Sequence, residues 1–306
     1  MLTIKINFLL LLFLSPSLIC YVTGARPRIV EGELAGFGEF PYIVTLQRLT
    51  EGCTYHICGG SILDEYHIIT AAHCVTNNVT NKLKNEQITL GAGITDLTDK
   101  KVGVYRDVEE VFIPLSYTSN KKSHDDIAIL RLRHPLPLAD YETLGLVQLP
   151  KADEYLPPDT FNATTAGFGD NSQFLQLNTG KVYGLSDPYL KYASGFVNII
   201  DVFHGCKPTE VCFKSFGFLS GQLKGACNGD SGGPLVIENT NILIGITSYS
   251  NDKYCGQYTK FTRVSSYLDF IKKVRDNEID ETISSVKLTL EFEDAYPYIP
   301  LCGHDT

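Results

Sequence analysis

The run Lys224–Val236, KGACNGDSGGPLV, sets an acid and a serine, Asp230 and Ser231, among four glycines, with Cys227 before them and Pro234 after. Glycine loses more backbone entropy on folding than any other residue, so such a run is kept where the chain must turn sharply or approach something closely. Asp-Ser-Gly-Gly-Pro is also ordinary turn chemistry. The rest of the chain has to decide between a surface turn and a nucleophile held on a constrained backbone.

From Pro41 onward the chain runs in short apolar or alternating stretches, such as YIVTLQRL, DIAILRLRHPL and ILIGITSYS, broken by Gly, Pro, Asn and Asp. Many short strands at close spacing predict an all-β sandwich or barrel. A helical period appears only near the end, where Val264, Tyr267, Leu268, Phe270, Ile271 and Val274 share one face and Ser265 or Ser266 is placed to cap it. The Pro- and charge-rich segment VQLPKADEYLPPD divides the body into two halves near residue 150, each large enough for a small barrel.

The N-terminus has Lys5, an apolar run from Phe8 to Leu14 and small residues up to Ala25. That pattern predicts a secretory signal peptide over residues 1–25, too short in its apolar part to span a bilayer, and hence a secreted, extracellular protein. Apart from Cys20 in that leader, the cysteines are Cys53, Cys58, Cys74, Cys206, Cys212, Cys227, Cys255 and Cys302, an even set that implies disulfides. No Cys/His spacing suits a metal, and Asp96 and Asp99 alone do not make a calcium loop, so no metal or cofactor is expected. Sequons at Asn78 and Asn162 offer glycosylation sites. The net charge of −9 is concentrated in residues 276–306, which hold eight acids against Lys287. No basic stripe for nucleic acid is present.

A serine hydroxyl is a weak nucleophile unless a base takes its proton and a third group orients that base. IITAAHCV places His73 after an apolar strand, and SHDDIAILRL places Asp126 before another, with Asp125 beside it as the rival. The chain order is then His73, Asp126, Ser231.

These pieces, together with RIVEG at 28–32, CGGSIL at 58–63, AGFG at 166–169, CNGDSGGP at 227–234, GITSYS at 245–250 and FTRVSSYLDFI at 261–271, resemble the trypsin/chymotrypsin-type serine proteases from Ile29 to about Val274. The resemblance implies two packed six-stranded antiparallel β-barrels closed by a C-terminal helix. It implies an activation peptide over 26–28, a protease domain over 29–275 and an acidic extension over 276–306. His73 would be the general base, Asp126 its orienting carboxylate, Ser231 the nucleophile, and the N–H groups of Gly229 and Ser231 the oxyanion hole. Asp230 would receive the amine that cleavage at Arg28–Ile29 releases, so the product would be a zymogen. Family bridges would be Cys58–Cys74, Cys206–Cys212 and Cys227–Cys255, leaving Cys53 and Cys302 to pair by elimination.

In that frame Gly225 floors the pocket for the side chain before the scissile bond, where trypsin-like members carry an aspartate, and Ser250 and Thr259 narrow it. Cleavage after uncharged, chymotrypsin- or elastase-like side chains follows. Ser248 would bond Asp126, and Ser248, Tyr249 and Ser250 would run beside the substrate backbone. The chain is expected to act as a monomer on polypeptides. Its further partners would be an activating protease cutting after Arg28 and protein protease inhibitors, with neither nucleic acid nor membrane. The alternative is a catalytically silent protease-like binding protein. For the extension two readings stand: Val286, Leu288, Leu290 and Phe292 alternate as a strand that adds to an edge and is anchored by Cys302, or the acidic tail has no fixed structure.

Overall fold

Side chains that alternate between apolar and polar bury one face of each strand, and a sheet with one apolar face can close on itself to hide it. The computed structural model describes residues 32–50, 52–77, 79–119, 125–151, 161–170, 172–176, 181–185, 187–198, 205–215, 225–250, 255–256 and 258–303. The leader, Arg28, Ile29 and Asn78 lie outside the described residues, as does the side chain of Ser250.

A two-residue strand, β1 (Glu33–Leu34), precedes β2 (Ile43–Thr50), β3 (Cys53–Ile62), β4 (His67–Thr70), β5 (Thr89–Ala92), β6 (Val104–Pro114) and β7 (Ala128–Leu132). These last six pair antiparallel in the order β5-β2-β3-β4-β7-β6, and β6 returns to β5, which closes a six-stranded barrel. Val44, Leu46, Ile68, Leu90 and Ile129 fill it and are inaccessible to solvent. A one-turn helix, α1 (Ala72–Val75), leaves the end of β4.

The second half contains β8 (Phe161–Gly167), β9 (Ser172–Gln176), β10 (Lys181–Leu185), β11 (Lys191–Asn198), β12 (Glu210–Ser215), β13 (Pro234–Ile237), β14 (Leu243–Ser250) and β15 (Thr259–Arg263). Strands β9 and β10 form a separate hairpin. The other six close a second antiparallel barrel in the order β8-β11-β12-β15-β14-β13. Ala163, Val197, Val211, Phe213, Leu235, Ile244 and Phe261 make its core. The halves are stitched at Gln148, whose N–H donates to Asn241 (2.8 Å) and whose carbonyl accepts from Leu243 (2.8 Å).

The C-terminal helix departs from the sequence expectation at its start. Val264–Tyr267 form a 3-10 turn, and the α-helix proper, α2, runs Leu268–Arg275 with no side-chain cap. Ser265 lies inside the 3-10 turn, the N-cap positions being Arg263 and Tyr267, and its hydroxyl accepts from the Arg263 guanidinium (2.9 Å). The buried face of α2 is Phe270, Ile271 and Val274.

Beyond α2 the extension is ordered against the first barrel. Its strand β16 (Ile283–Lys287) pairs antiparallel with the outer end of β6, Ile283 facing Pro114 and Lys287 facing Glu110. The alternating set predicted from sequence is only partly the strand: Leu288 and Phe292 follow it and pack inward, while Leu290 is exposed. Asp107, fully buried on β6, organises the next turn. One of its oxygens accepts from the Phe292 and Glu293 N–H groups, and its own N–H donates to the Glu293 carboxylate (2.8 Å). Tyr296 is then buried against Tyr105, its ring centre 5.8 Å away. At the far end Thr54 N–H donates to Pro300 (2.9 Å), Cys302 N–H donates to Thr54 (2.8 Å), and Cys302 is bonded to Cys53.

Tyr296 is 1% exposed. Truncating an aromatic that is fully buried removes its contacts and leaves a cavity, at about 3–5 kcal/mol. Tyr296→Ala is therefore expected to lower the unfolding free energy by that amount in chemical denaturation with disulfides intact. A change under about 1 kcal/mol would mean that the extension adds nothing to the barrel.

Candidate active site

His73 sits on α1, immediately after the apolar strand β4 ends, and Asp126 precedes β7, the partner of β4 in the barrel. Their pairing therefore brings the two side chains together at one barrel end. Asp126 accepts from the His73 N–H (3.0 Å) and meets His73 Nδ1 (2.8 Å). The Ser248 hydroxyl donates to the same carboxylate, and Thr262 donates to the Asp126 carbonyl (2.8 Å). Burial alone would raise the Asp126 carboxyl, but the His73 charge and these donors hold it below its ordinary value. Burial pulls His73 down, and the Asp126 carboxylate more than offsets this, so its pKa is raised. Asp125, the rival, takes hydrogen bonds from Ser116 and Tyr267 instead (2.5 and 2.8 Å) and does not contact His73.

Ser231 lies in the turn before β13, half-buried, with its carbonyl accepting from Gly59 N–H on β3 (2.8 Å). Backbone donors around it are spoken for: Asp230 N–H goes to Cys227, Gly232 N–H to Thr247 and Gly233 N–H to Asp230. Among the described residues the N–H groups of Gly229 and Ser231 have no acceptor. Nor does a hydrogen bond join the Ser231 hydroxyl to His73 among the described residues, which is common before a substrate tightens such a pair.

Asp230, 1% exposed, points away from the cleft. Its two carboxylate oxygens accept from Gly169 N–H and Cys227 N–H, each at 2.8 Å. Burial pushes its pKa up to about 7 against the pull of those two donors. No ion pair reaches it among the described residues. Gly229 has φ +94°, and a Cβ there would meet Gly169 at 3.0 Å, so a side chain would displace the donor.

One residue that the sequence reading passed over belongs here. His56 on β3 reaches across to the second barrel, where its Nε2 meets the Gly229 carbonyl (2.8 Å) while Nδ1 meets the Thr45 hydroxyl (2.7 Å). Burial drives its pKa down to about 4, so it is neutral, with Nε2–H donating to Gly229 and Nδ1 accepting from Thr45. Its ring lies 5.7 Å from that of Phe168. A histidine two residues before Cys58, on an alternating strand, was the only available signal.

This combination of two barrels, a histidine–carboxylate pair and a serine turn also has counterparts. A family model described as Trypsin matches residues 29–271. The chain belongs to the trypsin family of serine proteases. Chymotrypsin-C of Mus musculus is 32% identical over 255 residues, taking in 80% of this chain and 88% of that one. Chymotrypsin-like elastase family member 1 of Macaca fascicularis is 32% identical over 256 residues, 80% of this chain and 89% of that one. Among solved structures, human heparin binding protein shares the fold with a TM-score of 0.65 at 24% identity, covering 81% of this chain and 97% of that one.

Disulfides join Cys58–Cys74, Cys206–Cys212 and Cys227–Cys255 in the structure. The first brings both sulfurs near His73, but bridged sulfurs carry no thiolate for a metal. Gly225, buried, lies against Gly256, and Thr259 is buried on β15 beside Ser250 of β14. Asn162 is exposed on β8, its amide donating to Glu238 (2.9 Å).

A carboxyl raised from 3.8 to about 7 keeps one more proton in the folded than in the unfolded chain between those values. Its contribution to stability therefore falls as pH rises through that window. In the uncleaved protein Asp230→Asn is expected to remove this slope from melting temperatures measured between pH 5 and 8. An unaltered slope would mean that the carboxylate is ionised throughout.

Proposed function

We propose that the chain is a secreted serine endopeptidase, made as a precursor that is cut at Arg28–Ile29 and hydrolysing peptide bonds after uncharged side chains. The observations that carry this are the His73–Asp126 pair and a serine turn in which the Gly229 and Ser231 N–H groups have no acceptor among the described residues. Ser231 Oγ attacks the carbonyl carbon of the scissile bond while His73 takes its proton. The oxygen, now negative, is held by the Gly229 and Ser231 N–H groups. Collapse breaks the C–N bond as His73 returns the proton to the leaving amine. Water, deprotonated by the same histidine, then cleaves the acyl-enzyme and restores Ser231.

Strand β14 supports the substrate. Its contacts with the β13 side end at Thr247, which exchanges backbone bonds with Gly232 and Gly233, whereas Tyr249 and Ser250 still pair with β15, so among the described residues Ser248–Ser250 present a free edge to a peptide strand. Tyr249 is held by its hydroxyl, which donates to Glu210 (2.8 Å). Gly225 brings no charge to the pocket floor, and a substrate cation buried there would lack a partner. The family relationship supports peptide hydrolysis, and the leader supports secretion; no described helix is long and apolar enough to cross a membrane.

After cleavage at Arg28, a panel of peptides should show turnover after aliphatic or aromatic residues and little after Lys or Arg. Ser231→Ala should abolish it, and Asp126→Asn should lower kcat by about 10⁴. Since His73 must be neutral to act and Asp126 raises its pKa, kcat/KM should rise with pH through a midpoint higher than that of an unperturbed histidine. Removing the Asp126 charge should shift that limb to lower pH. Strong preference for Arg or Lys, or an acid limb that does not move, would contradict the assignment.

A further inference from the structure

The end of the extension borders the nucleophile turn. A cavity of about 290 Å³ opens there, lined on one side by Gly229 and Asn228 and on the other by Leu301 and Cys302. Ile57, Leu97 and Phe168 complete its apolar walls. None of the residues assigned to the pocket before the scissile bond, Gly225, Ser248, Tyr249 or Thr259, lines it. A substrate whose carbonyl oxygen rests on Gly229 must carry its leaving-group segment onward past that residue, about 3.3 Å per extended residue. The cavity is within reach of the first residues after the bond.

Two carboxylates face this space, and they are not equivalent. Asp187 is paired with Lys191. Asp170 accepts only from the Asn228 amide (3.0 Å), which orients it without neutralising it, and no cation contacts it among the described residues. Its pKa is raised by burial, as expected for a charge that is partly desolvated and lacks a counter-ion. Apolar wall residues beside a carboxylate that no cation contacts among the described residues match a side chain with an aliphatic stem and a cationic head.

Resting on the peptidase reading above, we propose that this cavity binds a lysine or arginine side chain of the substrate's leaving-group segment, its stem against Ile57, Leu97 and Leu301 and its charge at Asp170. The extension then serves specificity as well as stability: Cys53–Cys302 holds Leu301 in the wall of a binding site.

The test uses the activated full-length enzyme and quenched fluorescent peptides that share one acyl side and differ at the two residues after the bond, with arginine, norleucine or glutamate there. A p-nitroanilide of the same acyl side, which has no leaving-group residues, reports the chemistry alone. Arginine peptides should exceed norleucine and glutamate peptides about five- to tenfold in kcat/KM. Asp170→Asn should bring the arginine-to-norleucine ratio close to one, and Leu301→Ala should reduce it. Because ratios are taken within one enzyme preparation, a partly folded variant does not blur them. Anilide turnover without an arginine preference, or a preference that survives Asp170→Asn, would overturn this proposal alone. Failure to hydrolyse even the anilide would overturn the peptidase reading and this proposal with it.

Discussion

The buried carboxylate of Asp230 is the constraint on which the cleft depends. Its oxygens reach Gly169 at the end of β8 and Cys227 at the start of its own loop, and its carbonyl accepts from Gly233. A buried carboxyl is costly without hydrogen-bond partners, and here two backbone donors supply them while bending the chain into the turn that carries Ser231, although burial still outweighs them and raises the pKa. The glycines of the AGFG stretch follow from the same contact: a Cβ on Gly169 would lie 2.5 Å from the carboxylate, and one on Gly167 would be closer still. His56 holds Gly229 from the opposite side, so the turn is gripped by both barrels.

The first barrel carries a second clamp. Asp107, closed inside β6, is to the extension what Asp230 is to the nucleophile turn: a buried acid, one oxygen of which accepts from two main-chain N–H groups while the other accepts from the Thr89 hydroxyl (2.5 Å). The extension is acidic, yet much of its charge is directed at partners. Glu293 meets His134 and the Asp107 N–H, and Arg133 donates to Leu288 (3.0 Å) and lies near Glu291. Docking therefore spreads over β16, Tyr296 and the Cys53–Cys302 bond, and it brings Leu301 and Cys302 to the cavity beside Gly229.

What could be read from the chain was what is local or recurrent. The alternating stretches announced the barrels, and His73, Asp126 and Ser231 stood in motifs short enough to see. Asp126 and its rival Asp125 stood side by side in one motif, and of the two only Asp126 meets His73. Less legible were features decided by tertiary contacts. Ser265 has cap chemistry, but the 3-10 turn begins before it and leaves it inside the turn. His56 is unremarkable on β3 until the second barrel brings the Gly229 carbonyl to it. The extension's period of two was visible, whereas its partner strand depended on which barrel edge β6 left open. Nothing in FED or YPY marks the Asp107 anchor or the Tyr105 contact.

The central claim is that Asp230 awaits a positive partner, the ammonium freed by cutting at Arg28–Ile29, and that their union shapes the oxyanion turn. The most direct measurement is stoichiometric titration with a serine-directed phosphonylating reagent, made on uncut protein, on protein cut after Arg28, and on cut protein carbamylated at its new N-terminus. The account predicts close to one reactive serine per molecule in the cut protein alone. Equal titration of all three would contradict it.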